Sequence, residues 1–347
     1  MIKKIGVGLL GLGTVGEEVF KLIKGNHLFS NEKLEIEFEI YAIYVKDINK
    51  KRNVDVSGIH ITSNYEEVVN NPDIHVCIEC MGGAGADKTV EIIDAAIRKG
   101  KHIIMSSKKC LAYNMNHIID MANYYNVQLR FEATVGGAIP ICRTLMSMSS
   151  ENKINRMYGV INATTNYVLS LMEKYNIDFD EALNIAKEKG ITENDSSEDI
   201  DGWDAAYKMK ILAGIGMKAD INLDEISPVS VSSLVNLKND NIRIKQIFYV
   251  EKSSDNKIMF YVGPAELEKN NVMYNVRENY NIVFVDSSYS GIRAYYGKGA
   301  GGKETASAMY EDLLDIYKQC YWFELTDVTT CEKIDINEIS NRFEDGE

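Results

Sequence analysis

Positive charge is what this chain is short of: 38 lysines and arginines stand against 51 aspartates and glutamates, for a formal net charge of −13. A nucleic-acid partner wants a basic face, so the balance argues against one, although a basic pocket inside an acidic protein remains compatible with it. Long apolar runs are also missing. No stretch approaches the roughly 20 apolar residues that span a bilayer, so no membrane partner is expected. The opening Met1-Ile-Lys-Lys followed by IGVGLLGLGTVGEEVF is glycine-punctuated and lacks the small-residue cleavage pattern of a secretory signal. A soluble, cytoplasmic protein is the expectation. Six cysteines (Cys77, Cys80, Cys110, Cys142, Cys320, Cys331) are scattered through 347 residues, which at this size is no disulfide framework. Cys77 and Cys80 form one pair without a second, and Cys77 falls inside an expected strand, which argues against a metal or redox pair. The five histidines (His27, His60, His75, His102, His117) show no ligand spacing, so a catalytic zinc is not expected. There is no internal repeat and no low-complexity linker.

What is present is 45% hydrophobic and 26% charged residues, an ordinary globular balance in a chain long enough for two or three domains. The first third alternates short apolar runs with helical spacing. Ile5–Leu10, Phe38–Val45, Ile74–Glu79, Lys101–Met105 and Val127–Phe131 read as strands. Glu17–Lys24, Tyr65–Val69, Thr89–Lys99 and a stretch near Asn116–Tyr125 read as helices. Alternating βα units predict a parallel, doubly wound sheet. Past about Pro140 the pattern turns to helices at Asn166–Lys174, Asp180–Lys189 and Asp204–Ala213. Strand-like runs follow from Arg243, and a last helix covers Thr305–Tyr317.

Gly11-Leu-Gly13-Thr14-Val15-Gly16 matches G-x-G-x-x-G directly after the first strand and at the opening of a helix. Gly11 would make the tight turn, Gly13 would let backbone approach a pyrophosphate, and Gly16 would permit close helix–strand contact. The helix N-terminus adds donors and positive dipole. A second register, Gly6-Gly8-Gly11, fits the letters but leaves no strand before the turn. The second strand ends at Val45-Lys46-Asp47. An acid there suits the ribose hydroxyls of NAD and a cation suits NADP, so both cofactors stay open.

The stretch ITENDSSEDIDGWDAAYKMKILA, residues 191–213, places Asp204 and Lys208 four apart on one helix face. Such a pair is usually a solvated surface pair. Here Glu193, Asp195, Glu198, Asp199 and Asp201 crowd ahead of it, a cluster that could hold an ammonium group, a divalent metal or only water. HIIMSSKKCLA, residues 102–112, puts Lys108 and Lys109 just past a strand's carboxyl end, where α/β folds bind ligands. FEATVGGAIPI from Phe131, GVINATTNYVL (159–169) and YYGKGAGGKETASA (295–308) are polar or glycine-rich turns.

In this order the segments resemble the homoserine dehydrogenase family. The matching signatures are GLGTVG, E-x-M-G-G from Glu79 to Gly83, a lysine-bearing loop, E-A-T-V-G-G, N-x-T-T-N, D-G-x-D-x-x-x-K and G-x-G-A-G-x-x-x-T-A, spanning about residues 4 to 316. The resemblance implies an NAD- or NADP-dependent oxidoreductase interconverting L-homoserine and L-aspartate 4-semialdehyde, and a homodimer. It implies that Lys108 and Lys208 handle the substrate hydroxyl, with Asp204 beside Lys208. Glu193 would hold the substrate's amino group with Asp199 near it, and the turn at Ala163-Thr164 would donate to the carboxylate. Glu132 and the carbonyls of Val135, Gly137 and Ile139 match a structural monovalent-cation site for sodium or potassium. Gly299–Gly301 would fold back onto the nucleotide domain, with Gly301 near the cofactor.

The fold expectation is therefore a Rossmann-type parallel sheet domain plus a mixed α/β substrate and dimerisation domain. The boundaries are 1–135, joined by a returning helix 303–320, then 136–302, then a tail 321–347. The chain stops near the end of the catalytic unit, so a C-terminal regulatory domain and feedback through it are not expected. Three departures stand out. Ala163 replaces a usual glycine, Ser107 replaces asparagine in the lysine loop, and Lys46 replaces a frequent arginine, a poorer fork for a 2′-phosphate. Lys46 thereby favours NAD use or dual use, while Ala163 and Ser107 motivate one rival, a dehydrogenase of a different amino-alcohol or amino-aldehyde; a second rival is a nucleotide-binding paralogue without chemistry. Retention of Lys108, Asp204, Lys208 and Glu193 together speaks against the second.

Overall fold

Strand β1 (Lys3–Leu10) passes from exposed to wholly buried after two residues, as expected of a strand covered on both faces. It pairs in parallel with β2 (Ile36–Tyr44) on one side and β4 (Ile74–Glu79) on the other. With β3 (His60–Thr62), β5 (His102–Met105) and β6 (Leu129–Arg130) the sheet runs β3-β2-β1-β4-β5-β6, every neighbouring pair parallel. Strand order reverses beside β1, which opens a crevice at the carboxyl edge between β1 and β4. Helices α1 (Thr14–Lys24), α2 (Tyr65–Val69), α3 (Ala86–Arg98) and α4 (Lys108–Tyr124) connect the strands. This is the expected Rossmann-type sheet. The computed structural model describes residues 3–25, 36–148, 151–189, 191–192, 195–233 and 241–317. The expected tail 321–347 and residues 318–320 of the returning helix lie outside the described residues.

The second sheet is antiparallel throughout, in the order β11-β10-β7-β8-β9, formed by β7 (Ile154–Val160), β8 (Ile242–Lys252), β9 (Ile258–Glu268), β10 (Tyr280–Ser287) and β11 (Gly291–Lys298). Helices α5 (Ile141–Ser147), α6 (Ala163–Tyr175), α7 (Phe179–Glu188), α8 (Ser197–Ile200) and α9 (Trp203–Met217) accompany it. Helix α9 is buried on nearly every side: Ala205, Ala206, Met209, Ile211, Leu212 and Ala213 are buried, and so are Asp204 and Lys208. A helix without a solvated face belongs in a core. One contiguous core runs from Leu10, Ile103 and Leu111 through α9 to Phe248, Val250 and Val285 of the second sheet. Helix α10 (Gly302–Tyr317) returns to the first sheet, where Met309 is buried against Cys80 and Tyr310 meets the edge of the Phe38 ring at 6.5 Å.

Several elements differ from their sequence reading. Helix α4 begins at Lys108, so this lysine is not in a loop but is the first helical residue. The helix kinks at Asn114 (φ −123°, ψ 19°), and only its regular second half carries a clear period. Strand β7 was not anticipated, because Asn155, Arg156 and Gly159 break its apolar alternation. Strand β11 takes up residues 295–298 of the stretch read as a glycine-rich turn, leaving the turn itself at 299–301, and β3 and α5 are too short to carry a period. Phe248 is completely buried between β8 and the core, so Phe248→Ala should lower the unfolding free energy by about 3–5 kcal/mol, read by urea denaturation. A change below about 1 kcal/mol would mean that the two halves do not share this core.

Candidate active site

The glycine turn at the crevice takes the shape its residues allow. Gly11 has φ +109°, and a Cβ there would sit 2.5 Å from the Cys80 carbonyl oxygen. A Cβ on Gly16 would sit 2.6 Å from the Gly11 carbonyl oxygen, while one on Gly13 would meet nothing. The turn is therefore closed underneath and open above Gly13, the N-cap of α1, where backbone can approach an anion. Thr14 and Val15 open the helix, and the start of α10 at Gly302 packs against Thr14. Gly301 just before it has φ +142°. Lys46 is exposed beyond the end of β2. Arg52 was not singled out from sequence. It donates to the Leu12 carbonyl at 2.7 Å and to the Asp47 carbonyl at 2.9 Å, planting a guanidinium between the glycine turn and the end of β2.

At the same carboxyl edge, α4 and α9 bring three charges together. Asp204 Oδ1 lies 2.5 Å from Lys108 Nζ, and Asp204 Oδ2 lies 2.7 Å from Lys208 Nζ. Lys208 also donates to the Ile161 carbonyl at 2.8 Å. Asp204 and Lys208 are buried, whereas the Lys108 side chain is 37% exposed and faces the cleft. Burial alone would push the Asp204 carboxyl up, but the two ammonium groups together outweigh it and hold it well below the usual carboxylate range. The Asp204 carboxylate raises Lys108, while burial lowers Lys208 against the same carboxylate. The geometry thus separates two lysines that share one anion.

Asn162 completes the cluster and was not read as a site residue. Its Nδ2 donates to Asp199 Oδ1 at 2.6 Å and Asp204 Oδ2 at 2.7 Å, while its Oδ1 accepts the Thr165 N–H and caps α6. An asparagine before T-T-N is a recognisable N-cap signal, but its second role between two carboxylates needs the fold. Burial, then the neighbouring Asp204, raises Asp199. Gln246 of β8 donates to the Asp199 carbonyl at 2.9 Å. Ala163 and Thr164 are the first residues of α6, whose leading N–H groups a helix cannot satisfy internally. Ala163 does not have a positive φ, so the alanine is unstrained there. Lys109 pairs with Glu198 of α8 at the rim. Glu193 lies outside the described residues.

The Glu132 carboxylate is buried. It accepts the N–H groups of Cys142 (2.9 Å) and Arg143 (2.7 Å) at the start of α5, with the Arg143 guanidinium 3.5 Å away. Gly136 and Gly137, at φ +79° and +57°, wind the turn that carries the Val135, Gly137 and Ile139 carbonyls. Cys77 and Cys80 are buried free thiols, and burial pushes the first up to about 12.

A glycine-rich dinucleotide turn and a Lys–Asp–Lys cluster at one sheet edge fit a class, the nucleotide-dependent oxidoreductases. The family model "Homoserine dehydrogenase, NAD binding domain" matches residues 11–132, and "Homoserine dehydrogenase" matches 140–314. The homoserine dehydrogenase of Bacillus subtilis is 33% identical over 323 residues, covering 91% of this chain and 74% of that protein. The Synechocystis enzyme of the same name is 33% identical over 320 residues, covering 90% and 73%. A crystal structure of a homoserine dehydrogenase from Thiobacillus denitrificans superposes with a TM-score of 0.85 at 32% identity, covering 91% of this chain and 73% of that one. This chain belongs to the homoserine dehydrogenase family, the NAD(P)-dependent oxidoreductases of amino-acid biosynthesis.

Proposed function

We propose that the chain interconverts L-homoserine and L-aspartate 4-semialdehyde, with the Lys108–Asp204–Lys208 cluster at the reacting oxygen. The observation that carries this reading is one buried carboxylate bridging two ammonium groups at the edge where the glycine turn opens. The bound nicotinamide supplies the hydride acceptor or donor. Lys208 Nζ, favoured toward its neutral form by burial, takes the hydroxyl proton and returns it in the reverse direction. Lys108 stays cationic beside Asp204 and stabilises negative charge developing on the oxygen. Asp204 fixes both side chains. Asp199 faces the substrate ammonium, a role the sequence pattern also assigns to Glu193, and the α6 amides at Ala163 and Thr164 face its carboxylate. Gly11, Gly13, Thr14, Val15 and Gly16 receive the pyrophosphate, with Gly301 closing over from α10. Lys46 and Arg52 together offer the cationic surface that a 2′-phosphate requires, which favours NADP.

The proposal extends to organisation. The nucleotide domain comprises 1–135 with the returning helix, and 136–302 forms the substrate and dimerisation domain. Dimerisation through the second sheet is supported by the face turned away from α9. There Tyr158, Tyr249 and Tyr261 stand opposite one another across three strands, Tyr158 stacks on Phe284 at 4.9 Å, and Met259, Ile292 and Tyr296 are exposed. A sodium or potassium ion near Glu132 would share a carboxylate already compensated by two amides and Arg143. The Val135, Gly137 and Ile139 carbonyls would therefore carry most of its coordination.

Homoserine-dependent reduction of NAD or NADP at alkaline pH, followed by nicotinamide absorbance, is the expected result. Intact nucleotide binding without reduction would point to another amino-alcohol. Lys208→Arg, which cannot lose its proton, should lower kcat about a thousandfold with nucleotide binding retained. The wild-type alcohol-oxidation rate should climb as pH rises through a pKa below the usual lysine value, because only neutral Lys208 accepts the proton. An arginine variant with that same limb would remove Lys208 from the role. Lys46→Ala and Arg52→Ala should each weaken NADPH about tenfold more than NADH, and equal losses would take them away from the 2′-phosphate. Tyr249→Lys should sediment as a monomer, and an unchanged dimer would place the interface elsewhere.

A further inference from the structure

Glu79 opens the E-x-M-G-G segment and has no part in the chemistry above. It is the last residue of β4, at the carboxyl edge, and its side chain is completely buried. Its Oε1 accepts the Met81 N–H at 2.6 Å, and its Oε2 accepts the N–H groups of Ser106 (3.1 Å) and Ser107 (2.9 Å). The Ser106 hydroxyl donates to the Glu79 carbonyl at 2.9 Å. Burial pushes this carboxyl up, and the three amides pull it back. An ionised carboxylate is acceptor-only and suits three donors, whereas a carboxylic acid would bring an O–H among three N–H groups.

The consequence lies in what those amides hold. Ser106 and Ser107 are the whole connection between β5 and α4, and both are fixed through one Glu79 oxygen. Ser107 is the N-cap of α4, yet its side chain makes no capping bond, so the helix start is held from outside by the glutamate. The next residue is Lys108. Through its other oxygen Glu79 fixes the start of the turn in which the Ala84 N–H meets the Met81 carbonyl, beside Cys80 and the glycine turn.

We infer that Glu79 is a positioning residue for the reaction: one buried carboxylate sets the start of α4, from which Lys108 reaches Asp204. This rests on the role proposed for Lys108. Misplacing a reacting group by about 1 Å costs on the order of a hundredfold in rate. Glu79→Gln keeps the volume but turns an NH2 group toward N–H donors.

The test compares Glu79→Gln, Ser107→Pro, their combination and Lys108→Met, measuring kcat, KM for both substrates, nucleotide affinity and melting temperature. Ser107 has φ −76°, which proline adopts, so Ser107→Pro deletes one donor and leaves the glutamate in place. The expected result is a fall of about a hundredfold in kcat for Glu79→Gln, with KM and nucleotide affinity within about threefold. The double variant should be little worse than Glu79→Gln, because the contact that Ser107→Pro removes is among those the glutamine already disturbs. Full kcat in Glu79→Gln, or losses in the two single variants that multiply, would overturn the inference while an inactive Lys108→Met leaves the lysine's role standing. An active Lys108→Met would remove the lysine's role and the inference with it. If Glu79→Gln does not fold, Ser107→Pro decides alone: a lowered kcat at unchanged KM supports the contact, and an unchanged kcat rejects it.

Discussion

A carboxylate buried between two ammonium groups from different helices constrains everything around it. Removing Asp204 and Lys208 from water is costly, and the cost is offset only if each partner is held at hydrogen-bond distance and the remaining polar atoms are satisfied. Lys208 and Asp204 meet this on one helix face, four residues apart, with the Ile161 carbonyl taking a second lysine N–H. Lys108 arrives from the other sheet's helix, so the two halves of the molecule must share a stiff core. The continuous apolar packing from α4 through α9 to β8 supplies that stiffness. Asp199 then brings a second negative charge close to Asp204. The neutral Asn162 amide donates to both carboxylates, which lets two anions and two cations occupy one small volume.

The same edge explains why glycine positions matter so much here. Strand order reverses beside β1, and the chain must turn sharply there while leaving α1 open to solvent. Only a residue without a side chain fits at Gly11, because Cys80, just past the end of the neighbouring strand β4, lies directly against it. Cys80 is in turn covered by Met309 of the returning helix α10. Helix α10 thus braces the turn from below, which brings a segment far away in sequence beside the nucleotide crevice.

Much of this was legible in the residues. Strands β1, β4 and β5 announced themselves because they are buried along most of their length and read as nearly solid apolar runs. The glycine turn and the order of the short motifs placed Lys108, Asp204 and Lys208 on the page before any coordinates. What escaped were contacts between distant segments. Glu79, Asn162 and Arg52 act through partners 27, 37 or 42, and 40 residues away in sequence, which no local spacing encodes. The Asp204–Lys208 pair resembles a surface pair by spacing alone. The available signal was the helix around it: WDAAYKMKILAGIGM is too apolar to give such a pair a solvated face. Strand β7 escaped for the opposite reason, since its polar and glycine residues hide the alternation.

The departures from the family pattern can be weighed by what they touch. An alanine at 163 would matter if the backbone needed a left-handed conformation, but Ala163 starts α6 without a positive φ and is buried in the helical turn that Asn162 caps. Ser107 replaces a longer side chain, yet the group that fixes its place is its backbone N–H, which any residue but proline supplies. Neither change alters an atom that carries charge in the cluster. Lys46 differs in kind, because it stands exposed at the end of β2 and exchanges a fork of donors for a point charge. Arg52 restores a fork nearby, anchored by two backbone carbonyls rather than by an acid, so its positive charge remains uncompensated by those contacts. The changes at Ala163 and Ser107 thus leave the contacts among Lys108, Asp204 and Lys208 untouched, while Lys46 alters the donor geometry at the end of β2.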